Sequence, residues 1–422
     1  MDVIIRNAKL RDRDGFCDIG IQKGVFTRIQ EKIEETAPEE IDANFNLVSP
    51  PFVESHVHLD SALTVGDPRF NESGTLMEGI EIWGKKKETI TKEEVKDNAL
   101  RTIHWLMGNG VLKIRTHADS TEPDLKTLEV LLEIKESMRD YVDIQVVAFP
   151  QDGIFTLNRG DQLLEEAVKM GADVIGGIPQ VEFTREDGIR AIKYAFELAE
   201  RYDKLIDIHT DETGDPQSRF LEVIAKYALE SGLKERVSAS HTTAMHNYDN
   251  DYTAKLIPLL KRAQINIITN PFSNSLLQNR LDGYPRKRGH TRVDQLLQAG
   301  VNVSIGNDNI MDPFNPMGKG SMLQALYFIL HTGHLSGIHQ INRLLDLITI
   351  NAGKTFHDES YGIEIGHPAD LIILDAKDDR EAIRLQSDCL YLIRRGKVLL
   401  ETRPAKRILH LNGKDYPVDF RI

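Results

Sequence analysis

Leu47-Val48-Ser49-Pro50-Pro51-Phe52-Val53-Glu54-Ser55-His56-Val57-His58-Leu59-Asp60 is a mainly apolar run that stops at two imidazoles one residue apart. Strand side chains alternate between faces, so His56 and His58 fall on the same face of an extended segment. A metal ion meets two nitrogen ligands there without any backbone contortion. The stretch reads as a strand that delivers a metal site at its carboxyl end.

Downstream, short apolar runs alternate with longer amphipathic stretches, the pattern of repeated β-α units. The spacing predicts strands over 111–116, 143–149, 174–178, 206–209, 237–241, 265–269 and 301–305, with helices over 94–107, 125–138, 188–202, 217–230 and 251–262 between them. With the strand ending at His56 there are eight. Parallel strands separated by helices close into a barrel or open into a doubly wound sheet. The polar residues decide between these. His56, His58, Thr116-His117, Pro150-Gln151, His209, Ser240-His241, Asn270 and Asp308 fall at or just after strand ends, and a glycine-rich phosphate loop is missing. In a barrel those ends meet at one mouth, where catalytic groups collect. An α/β fold of the (β/α)8 TIM barrel class is therefore expected.

The 422 residues exceed such a barrel alone, which takes about 250 residues and more with insertions. Short alternating strands over 3–5, 16–22 and 25–29 at one end, and over 369–374, 389–394 and 397–402 at the other, predict a small β-sandwich built from both terminal segments. The expected division is residues 1–50 with 363–422 as the sandwich and 51–362 as the barrel. No apolar stretch is long enough to span a bilayer, and the start lacks a basic segment followed by a cleavage site. Two cysteines, Cys17 and Cys389, lie far apart with no neighbouring ligand at metal-finger spacing, which suits reduced thiols in a cytoplasmic protein. A formal net charge of -13 repels phosphate backbones, so nucleic acid is not expected as a partner, despite Arg286-Lys287-Arg288. A large acidic barrel with β-rich ends is compatible with a homo-oligomer.

Hydrolysis by a divalent cation calls for histidine and carboxylate ligands plus an open position for water. His56, His58, His209 and Asp308 supply that set. Glu212, in His209-Thr210-Asp211-Glu212, lies close enough along the chain to act as a proton shuttle. Asp308 follows Gly306, which permits a tight turn. Each has a bland alternative: His209 as a core histidine, Glu212 as a helix N-terminal charge, Asp308 as a turn or cap residue.

The chain resembles the amidohydrolase superfamily and, within it, bacterial cytosine deaminase. The motifs carrying the likeness are Pro51-Phe52-Val53-Glu54 leading into His56-Val57-His58-Leu59-Asp60, then Gly74-Thr75-Leu76, Arg115-Thr116-His117, Ala148-Phe149-Pro150-Gln151, Glu182-Phe183-Thr184-Arg185-Glu186, His209 to Glu212, Ala239 to His246 and Tyr284-Pro285. They run in order through nearly the whole chain. The resemblance implies a hydrolase of carbon–nitrogen bonds in cyclic amidines, with one iron or zinc ion (Fe2+ or Zn2+) held by His56, His58, His209 and Asp308. It also implies that Asp308 takes a proton from the attacking water, that His241 hydrogen-bonds the nucleophile, and that Glu212 protonates the ring nitrogen beside the attacked carbon. Gln151 would read an amide edge of the base, for which its paired donor and acceptor are suited. Leu76, Asn309 and Phe314 are implied as substrate contacts. The region over 173–179 contains no lysine, which in this superfamily implies one metal rather than a bridged pair.

Cytosine deaminases typically carry Gly-His-Asp-Asp where this chain has Gly306-Asn307-Asp308-Asn309, a tryptophan where it has Phe314, and more often histidine where it has Gln180. The metal ligand survives but the second acid does not, since Asn309 is neutral. The expected activity is deamination of cytosine or a cytosine-like heterocycle (cytosine, 5-methylcytosine, isoguanine or similar) with release of ammonia in pyrimidine metabolism, and the lost acid points to a relative such as 5-methylcytosine, isoguanine or an aminotriazine rather than cytosine itself. The alternative is an amidohydrolase that removes a substituted amine from a triazine or opens a cyclic amide or amidine.

Overall fold

The protein is described by a computed structural model covering residues 1–421. Eight strands pair side by side in chain order: Phe52–Val57, Val111–Asp119, Asp143–Phe149, Val174–Ile175, Leu205–Thr210, Val237–His241, Asn266–Thr269 and Asn302–Ile305. All neighbouring pairs are parallel, and each strand overlaps its expected range. Alternate strand residues such as Ile114, Ile206, Ile208, Ala239, Ile267 and Val303 pack with the surrounding helices in one apolar core, whereas the intervening Arg115, Asp207, Ser238 and Ser240 are buried but polar. The fourth strand is the shortest because Gly176 and Gly177 follow it. The Gly176 amide donates to Ala148 O at 2.9 Å, and a Cβ on Gly176 would lie 2.6 Å from that oxygen, so only glycine fits.

Helices Lys92–Gly108, Lys126–Met138, Arg185–Tyr202, Phe220–Ser231 and Asn250–Ala263 stand where periodicity places them. Helix Leu76–Thr89 is not legible from its pattern. It buries only Gly79, Ile82, Trp83 and Lys86, too few apolar positions for a clear stripe. Thr75 starts it, its hydroxyl accepting from the Glu78 amide at 3.3 Å.

Both terminal segments contribute to a second eight-stranded sheet. The order runs Lys397–Glu401, Cys389–Arg394, Leu371–Leu374, Leu47–Ser49, Val3–Leu10, Cys17–Gln22 and Val25–Gln30, with Glu39–Asp42 also on Val3–Leu10. Leu47–Ser49 joins the two halves: it runs parallel to Val3–Leu10 and antiparallel to Leu371–Leu374. The halves share a core that includes Ile5, Ile19, Phe26, Leu371 and Ile393. The hairpin Ile408–Leu411 with Lys414–Pro417 forms its own exposed two-stranded sheet, so the segment from residue 363 onward is not uniformly part of this layer. Ile422 lies outside the described residues.

The barrel closes differently from the way its other strands pair. Among the described residues, one bridge, Val57 with Asp308, joins the first strand to the segment after the last. The Asp308 amide donates to His56 O at 2.7 Å and the His58 amide to Asp308 O at 2.8 Å. Glu54 staples the seam from inside, accepting from the amides of His56 at 3.1 Å and Asn307 at 3.0 Å and from Asn307 Nδ2 at 2.6 Å. Burial pushes its carboxyl up to about 8 against these donors. Glu54→Leu strands three buried donors, so unfolding in urea should show a loss of about 2–4 kcal/mol. Stability within 0.5 kcal/mol of the parent, roughly the level of a neutral surface change, would show that the seam does not depend on this carboxyl.

Candidate active site

The barrel strands carry His56, His209 and His241 to the mouth, and the loops just past the first and last strands carry His58 and Asp308. Asp308 Oδ1 lies 3.3 Å from His56 Nε2 and 3.5 Å from His58 Nε2, and His58 Nε2 lies 3.2 Å from His209 Nε2. A tetrahedral cation with bonds of about 2.0–2.1 Å separates its ligand atoms by about 3.4 Å, so these spacings fit one divalent ion. His56 Nε2 is buried without a hydrogen-bond partner, as expected of a lone pair kept for a cation.

Two more imidazoles reach the same space. Donor atoms of His56, His209, His241 and Asp308 lie within 4.8 Å of one another, and so do those of His56, His58 and His117. Asn274 Nδ2 donates to His241 Nδ1 at 2.9 Å, which leaves the ring N–H on Nε2. His117 is fully buried with neither ring nitrogen partnered, 3.8 Å centroid to centroid from His56. It stands near the end of the second barrel strand, two residues before Asp119.

Burial dominates the electrostatics. It lowers His58 to about 4, partly offset by Asp308, and His241 to about 3; His209 and His117 fall well below the usual histidine range. These rings are neutral near pH 7 and keep a lone pair. The two carboxyls separate. Burial, then the nearby Asp308 charge, drives Glu212 well above the usual range, whereas His241, His56 and His58 outweigh burial and hold Asp308 below it. Glu212 is thus a neutral acid beside an ionised carboxylate. Its Oε1 lies 3.6 Å from His241 Nδ1 and accepts from Gln278 Nε2 at 3.3 Å.

The helix-capping role open to Glu212 belongs to its neighbour. Asp211 Oδ1 accepts from the Phe220 amide at 2.9 Å and Oδ2 from the Leu221 amide at 3.0 Å, holding the start of helix Phe220–Ser231. Asp211 has φ +52°, His241 +69°, Thr242 +49° and Asp308 +64°. Left-handed backbone at four non-glycine residues stores strain where the site is formed.

A cavity of about 30 Å³ is lined by His58, Leu76, Gln151, His209, Glu212, His241, Asp308, Asn309 and Phe314, together with Leu277, which sequence reasoning missed. Leu76, Gln151, Glu212 and Leu277 also border a cleft of about 880 Å³ that includes Gln180. Asn309 is held from both sides: its Oδ1 accepts from Ser273 Oγ at 2.9 Å and its Nδ2 donates to Asp312 Oδ2 at 2.7 Å. Burial raises Asp312 to about 7. This acid, three residues after Asn309, was also missed.

Residues 39–400 match the amidohydrolase family. The chain belongs to the amidohydrolase family. The family is metal-dependent, and the chain is a hydrolase acting on carbon–nitrogen bonds. Crystal structures of 5-methylcytosine deaminase from Klebsiella pneumoniae superpose with a TM-score of 0.93 at 44% identity; the complex with 5-fluorocytosine covers 95% of this chain and 98% of that chain. N-isopropylammelide isopropyl amidohydrolase of Pseudomonas sp. (strain ADP) is 33% identical over 95% of this chain and 97% of its own length. Pterin deaminase of Rhizobium rhizogenes is 29% identical over 89% of this chain and 86% of its own. No helix among the described residues is long and apolar enough to cross a membrane.

In this amidohydrolase, Phe314 reaches the cavity because Gly79 leaves room on helix Leu76–Thr89. A Cβ at Gly79 would lie 2.6 Å from Phe314 Cδ1. Gly79→Ala should cost about 1–3 kcal/mol in denaturant unfolding, the usual range for overpacking. Gly79→Ala with Phe314→Leu should recover at least half of that loss, and purely additive losses would refute the contact.

Proposed function

We propose that the chain is a metal-dependent deaminase of a cytosine-like ring, most specifically a 5-substituted cytosine, acting through one iron or zinc ion. The observation that carries this reading is that Glu212, His241 and Asp308 line one buried cavity with His58 and His209, where burial and the Asp308 charge raise Glu212 while Asp308 is held low. Expelling an amine from a ring requires a proton donor and a proton acceptor that do not quench one another.

When bound to His56, His58, His209 and Asp308, a divalent cation lowers the pKa of a water molecule enough for attack near neutral pH. The chain's own residues do the rest. Asp308 accepts a proton from the attacking water. His241, oriented by Asn274, hydrogen-bonds the incoming oxygen. Glu212 gives its proton to the ring nitrogen beside the attacked carbon. As the carbon–amine bond breaks, Glu212 takes up the proton of the added hydroxyl, leaving a carbonyl, and the proton held by Asp308 goes to the amine, which leaves as ammonia. Gln151 pairs with the amide edge of the ring, while Leu76, Leu277 and Phe314 cover it and Asn309 presents an N–H. The identity of the Klebsiella enzyme supports a methyl-bearing ring.

A second reading, removal of a substituted amine from a triazine, is favoured by the Pseudomonas relative. The cleft of about 880 Å³ beyond the inner cavity could hold such a substituent. We further propose the division into residues 1–50 with 363–422 and residues 51–362. The two cysteines, both free and buried, suit the reducing cytoplasm.

Protein loaded with iron or zinc should release ammonia from 5-methylcytosine and 5-fluorocytosine, and chelator should abolish this. Release of isopropylamine from N-isopropylammelide without ammonia from any pyrimidine would establish the second reading instead. Glu212→Gln should keep its metal while kcat falls by about 10²–10⁴-fold, the usual contribution of a positioned acid or base. His209→Ala should lose metal occupancy itself, and equal metal loss in both variants would make Glu212 a ligand.

A further inference from the structure

Beneath the candidate metal site a chain of buried polar groups crosses the barrel. His56 Nδ1 lies 2.9 Å from Ser240 Oγ, and Ser240 Oγ donates to Asp207 Oδ1 at 2.6 Å. Arg115 Nη1 donates to Asp207 Oδ2 at 3.1 Å, and its Nη2 donates to Gln145 Oε1 at 2.9 Å. A further bond from Arg115 Nη2 reaches the Thr355 carbonyl. His56, Asp207, Ser240 and Arg115 are each 0% exposed and come from four different strands.

The direction of these bonds leaves His56 little choice. The Ser240 hydroxyl proton goes to the carboxylate, so the lone pair that faces His56 must accept. Nδ1 therefore carries the hydrogen and Nε2 is bare. Nε2 is the nitrogen that has no partner and faces Asp308 at 3.3 Å. A buried arginine–carboxylate pair is a costly arrangement to keep for stability alone, since desolvation cancels much of its attraction.

We propose that Ser240 and Asp207, clamped by Arg115, are positioning residues that fix the tautomer and ring orientation of His56 and thereby set metal affinity. This rests on reading His56 as a metal ligand. Groups that orient a ligating histidine commonly change metal affinity by about 10–100-fold when removed.

The test measures metal affinity by chelator competition, with zinc and with manganese, in Ser240→Ala, Ser240→Thr and His56→Ala. Ser240→Ala should weaken binding about 10–100-fold, and Ser240→Thr, which restores the hydroxyl, should recover most of it. Parental affinity in Ser240→Ala, with metal lost in His56→Ala, would overturn the relay and leave the ligand assignment standing. Parental affinity in His56→Ala would overturn the ligand assignment. A measurement that needs no folded Ser240 variant is the ¹⁵N spectrum of histidine-labelled, metal-free parent protein, with the His56 signal assigned by its loss in His56→Asn. Hydrogen on Nδ1 supports the relay, and hydrogen on Nε2 refutes it.

Discussion

Glu212 and Asp308 are both buried and line one cavity, and two carboxylates so placed resist being charged together. Desolvation raises both, and the difference between them comes from what each faces. Asp308 faces His56, His58 and His241, whereas Glu212 faces the Asp308 charge, the His241 ring at 3.6 Å and one amide donor from Gln278. The two carboxyls are thereby driven apart, one toward the anion and the other toward the acid. The imidazoles obey the same constraint. Burial keeps His58 and His209 neutral, so their lone pairs are available to a cation rather than lost to protons.

Such a cluster is stable only if the backbone holds it in place, and the seam between the first and last barrel strands does this. His56 and Asp308 exchange a backbone bond across that seam, and Glu54 accepts from the residues on both sides. The left-handed conformations at Asp308 and His241 turn their side chains inward at the strand ends. Strand residues of the apolar core on one face and hydrogen-bonded polar groups on the other fix the path of each strand, so the surrounding barrel carries strain of this kind.

These relations explain what the amino-acid order reveals. The eight strands are legible because each is a short buried stretch with apolar residues at every second position or more, and His56, His58, His209 and Asp308 are legible because they stand at or just past strand ends. Asp211 and Glu212 are adjacent and both acidic, and only the fold separates cap from acid. Gln278, Asn274 and Leu277 come from helix Pro271–Leu277 and the residue after it, a segment too short for a periodic signal. Helix Leu76–Thr89 has no clear apolar stripe, so the reason Phe314 reaches the cavity, the absent side chain of Gly79, is invisible without coordinates.

Asn309 shows how a substitution that looks like a lost charge becomes something else in three dimensions. An acid at this position would lie close to Asp312, and burial already opposes ionisation of Asp312. The amide removes that conflict by donating one hydrogen to Asp312, and Ser273 fixes its oxygen. Asn309 therefore cannot turn its oxygen toward a ligand without breaking a buried bond. Its remaining Nδ2 hydrogen is the polar group it can offer the cavity. The face beside Phe314 thus presents a weak donor next to apolar carbon rather than a carboxylate. A methyl group on a ring would meet no charge to desolvate there, whereas a bare ring edge would leave apolar surface unfilled.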